Sequence, residues 1–238
     1  MWIRLRPPSL NLAGPREIAR WAAAAVTVAA VLLTLTLLVS TFDTGNAVTG
    51  EGSELLAPTH GFGDMLWVLE RNLLVLGIHV CACWIGAIIG RPHEPVPKQW
   101  GEIAGALGRA VPAWLATAAL YYALVVTMLS VAAQSLGLGR ELANIAAAAH
   151  ISRVRLLWLV LPHAVPELVA VFLPLGLFLL EARRGRLDRL GLRSLQAAAI
   201  ALPILMCAAA IETYVTPQRV IAAKAVTAPS ATRAILER

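Results

Sequence analysis

Between Leu156 and Leu180 the chain reads LLWLVLPHAVPELVAVFLPLGLFLL. The run is long enough to cross a bilayer, yet His163 and Glu167 sit inside it with Pro162, Pro166 and Pro174. A carboxylate in hydrocarbon costs several kcal/mol unless it is paired, protonated or facing a wet cavity. A helix serving only as an anchor would not hold such a residue cheaply. The segment therefore defines an integral membrane protein and directs attention to its polar intramembrane residues.

Composition agrees with that class. Hydrophobic residues make up 58% and charged residues 14%, against roughly 25% charged in soluble domains, which leaves no room for a large soluble domain. The pattern predicts an all-α fold, a polytopic transmembrane bundle of about five helices near 21–40, 65–90, 110–133, 156–180 and 194–215, the fourth kinked by proline. Residues 1–20 form a basic N-terminus, 21–217 a single membrane domain and 218–238 a polar tail. The first apolar run has signal-peptide features, but its length and the lack of a clear A-x-A site favour an uncleaved helix. Trp100 to Leu107 fits a short surface helix.

The net charge of +6 does not indicate nucleic acid, because the basic residues sit in short loops beside apolar runs. The N-terminus, the 91–109 loop and the 181–193 loop are the basic ones and are expected to be cytoplasmic. The segment from Thr41 to Gly63, without Lys or Arg, is then external. Arg140, Arg153, Arg155 and a basic tail fall on the wrong side. An extra pass within 134–155 would reverse everything after it and expose the most basic loop. A short interfacial or re-entrant helix over Glu141 to His150 preserves the five-helix topology.

Three cysteines supply no disulfide framework. In His79-x-Cys81-x-Cys83, residues two apart diverge by about 200° on a helix, so Cys81 points away from the face shared by His79 and Cys83. No metal site is expected there. Gly77, Gly86, Gly90 and Gly176 read as close-packing positions rather than hinges.

Depth follows from about 1.5 Å per residue. Counted from the external boundary, Asn72 lies roughly 10 Å deep, His163 roughly 12 Å, Glu167 roughly 18 Å and Glu212 roughly 6 Å. His163 and Glu167, four apart, share a face. Each residue has two readings. Asn72 and His163 either bridge helices by hydrogen bonds or line a path. Glu167 is a locked structural carboxylate or a transport group, and Glu212 an interfacial charge or a member of the same cluster. Arg71 is close enough in sequence to offer ion pairing.

The segment Pro162-His163-Ala164-Val165-Pro166-Glu167-Leu168-Val169-Ala170 resembles the PHG-x-x-E-L-x-A segment of the stage II sporulation protein M family. Ala210-Ile211-Glu212-Thr213-Tyr214-Val215-Thr216-Pro217 resembles that family's A-x-I-E-[AG]-[FY]-V-T-P ending, and Asn72 matches the asparagine of its N-N-x-x-V-A-type segment. Ala164 and Leu73 depart from the pattern. The resemblance implies a multi-pass protein of the bacterial cell membrane. It also implies a scaffold role, in which the founding member resembles a holder of peptidoglycan-degrading partners.

Two functions compete. One is a non-enzymatic scaffold or assembly subunit for envelope remodelling, with other membrane or envelope proteins (cell-wall hydrolases by resemblance) as partners and self-association allowed. The other is a transporter, channel or permease subunit using the His/Glu cluster in a proline-broken helix. A nucleotide-driven version needs a separate ATPase chain, because no G-x-x-x-x-G-K-[ST] occurs. Neither H-E-x-x-H nor G-x-S-x-G is present, so no catalytic residues and no cofactor are expected. His163 and Glu167 supply two metal ligands, and the sequence names no third.

Overall fold

The computed structural model describes residues 12–43, 61–89 and 113–227. They form helices α1 (Pro15–Phe42), α2 (Phe62–Ile89), α3 (Ala113–Ala149), α4 (Arg153–Val171), α5 (Leu173–Arg183), α6 (Leu190–Tyr214) and α7 (Thr216–Thr227), with a 3-10 turn at Leu187–Arg189. No strand occurs among the described residues. The expected surface helix at 100–107 and Gly90 lie outside them.

Among the described residues, four stretches are long and apolar enough to span a membrane: Pro15–Phe42, Phe62–Ile88, Arg153–Val171 and Leu190–Val226. Only 22–33% of the most apolar window of each is buried inside the bundle, so most of their hydrocarbon faces outward. Val31, Leu74, Ile78, Ile85 and Met206 are among the large exposed side chains. So much contiguous apolar surface is stable only in an apolar solvent. The chain is a multi-pass membrane protein.

Local chemistry sets the helix ends. Pro15 occupies the first turn of α1, where its missing N–H costs nothing. Glu17 Oε2 accepts from the Gly14 N–H at 3.4 Å, the N3 half of a capping box. The helix thus begins six residues before the expected boundary at 21. Asp64 Oδ2 accepts from the Gly61 N–H at 2.8 Å at the start of α2. Ser152 caps α4 through the Arg155 N–H at 3.2 Å.

Three features differ from the sequence reading. First, α3 is one continuous helix of 37 residues, so 134–155 holds neither an extra pass nor a separate interfacial or re-entrant helix. The Ala-rich run continues the preceding span without a breaker, and the chain turns only at His150 (φ 55°). Second, the fourth span divides at Phe172 (φ −87°, ψ 1°) into α4 and α5. Pro162 and Pro166 lie inside a continuous α4. The interruption falls next to Pro174, which has no N–H for the Ala170 carbonyl. Third, the fifth helix bends at Val215 and continues as α7, so much of the expected polar tail is helical.

Gly176 and Gly139 allow the closest approaches. A Cβ on Gly176 would lie 2.4 Å from the Trp21 carbonyl oxygen, and one on Gly139 would lie 2.6 Å from Val39 Cγ1. Gly86 faces Leu190 and Phe178 at 3.0 and 3.1 Å. Gly77 meets nothing within 4 Å; it is not the close-packing position expected of it. The central core gathers Ala25, Ala29, Leu32, Leu76, Val171, Phe172, Ala201 and Leu205 from α1, α2, α4 and α6.

Charged networks tie both ends. At one, Arg193 bonds both Glu17 oxygens (3.1 and 3.2 Å) and approaches Glu181 at 3.6 Å. Arg184 and Arg186 reach Glu181 at 3.4 and 3.2 Å. At the other, Arg153 donates to the Asp43 carbonyl and Arg140 pairs with the Asp43 carboxylate at 3.8 Å. The N-termini of α1 and α6 and the C-terminus of α5 therefore share one end, as five-helix parity requires.

Candidate functional site

The sequence-predicted residues Asn72, His163, Glu167 and Glu212 meet in one place. Asn72 Nδ2 donates to Glu167 Oε1 at 2.7 Å, a buried bond joining α2 to α4. One nitrogen of His163 and one oxygen each of Glu167 and Glu212 lie within 4.8 Å of one another, joining α4 to α6. Asn72, His163 and Glu167 are all buried. Glu212 is partly buried, but its Oε2 is sealed from solvent and has no hydrogen-bond partner among the described residues.

The depths expected from sequence do not hold. They spread the four residues over roughly 12 Å, whereas the structure places them at one level. The error lay in the assumed boundaries. Glu212 looked interfacial because the helix was taken to end at 215, but α7 carries helical backbone to Thr227, about 22 Å further along the chain.

Thr216, unassigned by sequence reasoning, completes the cluster. Its hydroxyl lies 2.9 Å from His163 Nδ1 and 3.2 Å from the Ile211 carbonyl. With the hydroxyl proton on that carbonyl, the oxygen accepts from Nδ1–H, which leaves the lone pair on Nε2. The only signal in the sequence was the threonine of the V-T-P ending. Pro217, next in sequence, lacks the N–H that would continue the α6 ladder, which places the bend and Thr216 beside His163.

Arg71 acts electrostatically on both Glu167 and Glu212, as its place beside Asn72 suggested. Its guanidinium sits over the Trp67 ring, 5.3 Å from the centroid, a cation–π arrangement. His79 packs edge-on against Phe172 at 5.6 Å. Cys83 is buried and its thiol lies 3.3 Å from the Pro174 carbonyl, while Cys81 and Cys207 are exposed. The two sides of the His-x-Cys-x-Cys segment diverge as its spacing required.

Beside the cluster, Pro162 and Pro166 of α4 face Pro203, Ile204, Cys207, Ala208 and Ile211 of α6 across a groove of about 320 Å³. Proline leaves the carbonyl four residues earlier without its helical donor; here those carbonyls belong to Trp158, Pro162 and Ala199. The groove itself is lined by apolar side chains and one thiol.

Comparison with known proteins gives no match to any family model, curated protein or solved structure.

Proposed function

We propose that the protein is a non-enzymatic scaffold or assembly subunit of the bacterial cell membrane, of the stage II sporulation protein M kind, serving envelope remodelling. The Asn72–Glu167 bond carries this reading. It joins helices through groups 95 residues apart, and a second bond of the same cluster joins His163 to Thr216. Polar residues that bond one another between helices act as interhelical ties; residues of a conduction path face a wet cavity. The adjoining groove offers apolar walls. The N-terminus is cytoplasmic in this reading, with Arg183, Arg184, Arg186 and Arg189 on the same side, and the partners are other membrane or envelope proteins.

The test is purification of the tagged protein from its native membrane in mild detergent, with mass spectrometry of what stays bound. Recovery of cell-wall hydrolases or other envelope proteins, lost in Glu167→Gln, supports the scaffold. Recovery of an ATPase, or of nothing, overturns it. A transport role is the second reading, favoured by the unpartnered Glu212 Oε2 and the helix break at Phe172. It requires a Glu167→Cys variant, with the native cysteines removed, to react with aqueous thiol reagents.

A further inference from the structure

The geometry points to a divalent transition-metal site, of the zinc class, formed by His163, Glu167 and Glu212 within the bundle. The inference is independent of the scaffold reading. Three ligands of types suited to such an ion, one imidazole and two carboxylates, converge from two helices, with donor atoms within 4.8 Å of one another. Four-coordinate ligands at about 2.1 Å from an ion stand about 3.4 Å apart. Side-chain rotations of about an ångström therefore close the three donors on one centre.

Charge supplies the second argument. Two carboxylates face each other in an apolar bundle; the charge of Arg71 acts on both, but one cation does not offset two carboxylates. A divalent cation brings that pair to neutrality. It also provides a partner for Glu212 Oε2, the buried atom that no protein group satisfies.

The surrounding contacts are those that orient metal ligands. Asn72 holds one oxygen of Glu167 and leaves the other free of that bond. With the Thr216 hydroxyl proton on the Ile211 carbonyl, the contact to His163 Nδ1 makes Nδ1 the donor, and the Nε2 lone pair is then available for coordination. Outer partners of this kind fix the tautomer and the direction of each ligand. One imidazole and two carboxylates, with no thiolate, suit zinc, manganese or iron rather than copper(I). Three protein ligands leave a fourth position of a tetrahedral ion for a non-protein ligand.

The experiment uses the full chain in detergent micelles, stripped with a chelator and titrated with Co²⁺ and then Zn²⁺. The expected result is one ion per chain, a visible cobalt spectrum of nitrogen and oxygen ligation, and displacement by zinc with a rise in the thermal midpoint. Glu212→Gln and His163→Ala remove the spectrum. Asn72→Ala, which keeps all three ligands, weakens binding about 10–100-fold. Glu17→Gln, at the opposite end of the bundle, leaves binding unchanged. Gel filtration and helicity report folding of each variant, and Asn72→Ala carries the test if the ligand variants do not fold. Wild-type protein that binds no more cobalt than His163→Ala overturns the site, as does binding indifferent to Asn72→Ala. In that outcome a proton shared between Glu167 and Glu212 balances the pair.

Discussion

Replacing Gly176 by alanine adds one methyl group where α5 crosses α1. The new Cβ lies 2.4 Å from the Trp21 carbonyl oxygen and 3.1 Å from the Ala25 nitrogen. Ordinary contact begins near 3.4 Å, so the two backbones must separate by about 1 Å. Neither atom is at the end of a flexible side chain, so no rotamer change relieves the clash. Trp21, Leu173 and Leu177 pack in the same cluster and lose contact as the helices part. Overpacking of this kind costs about 1–3 kcal/mol. Gly77→Ala is the matched control: its Cβ meets nothing within 4 Å. There alanine keeps only its helix-propensity advantage, up to about 1 kcal/mol in the stabilising direction. The same substitution thus carries opposite signs at two helical glycines. Unfolding by sodium dodecyl sulfate in mixed micelles, followed by tryptophan fluorescence and helicity, measures both. Equal stabilities for the two variants would refute the close crossing of α1 and α5.

Arg193→Ala releases Glu17 and leaves Glu181 to its partly exposed partners Arg184 and Arg186; because those remain, the loss stays below about 3 kcal/mol, the low end for a fully broken buried pair. Arg140→Ala, in an exposed pair at 3.8 Å, costs under about 1 kcal/mol in the same assay. A double-mutant cycle of Asn72→Ala with Glu167→Gln gives a coupling of about 0.6–1.7 kcal/mol, the range of interhelical hydrogen bonds in membranes; zero coupling contradicts the 2.7 Å contact. A membrane-permeant maleimide labels Cys81 and Cys207 and spares Cys83 until the bundle unfolds, with mass spectrometry counting the adducts. Labelling of folded Cys83 contradicts its burial under Pro174.

Membrane character, the all-helical fold and the meeting of Asn72, His163, Glu167 and Glu212 were legible in the sequence, because ionisable side chains stand out against alanine and leucine; of about five expected spans, four are long and apolar enough among the described residues. Helix continuity was not legible. The third helix was expected to end near 133, before a separate short helix from Glu141; Gly137 and Gly139 lie between, yet glycine in a helix costs only about 1 kcal/mol, and Gly139 packs closely on α1. Glu181 and Arg193 looked like loop charges, although both are buried. Their pairing spans α1, α5 and α6, a relation that no local pattern encodes. Thr216 was equally silent: a threonine at a helix bend is ordinary until the histidine 53 residues earlier is brought beside it.

The length of α3 has a mechanical consequence. At about 1.5 Å per residue it measures about 55 Å, nearly twice the roughly 30 Å hydrocarbon thickness. Even a 40° tilt leaves more than about 10 Å of it standing clear of the hydrocarbon. Its last turns do not stand alone. Leu142, Ile145, Ala146 and Ala149 clamp onto Val220 and Ala223 of α7 and Leu156 of α4. The far end of α3 is thus joined by packing to α7, whose first residue, Thr216, bonds His163: a continuous line of contacts runs from that end to the buried cluster.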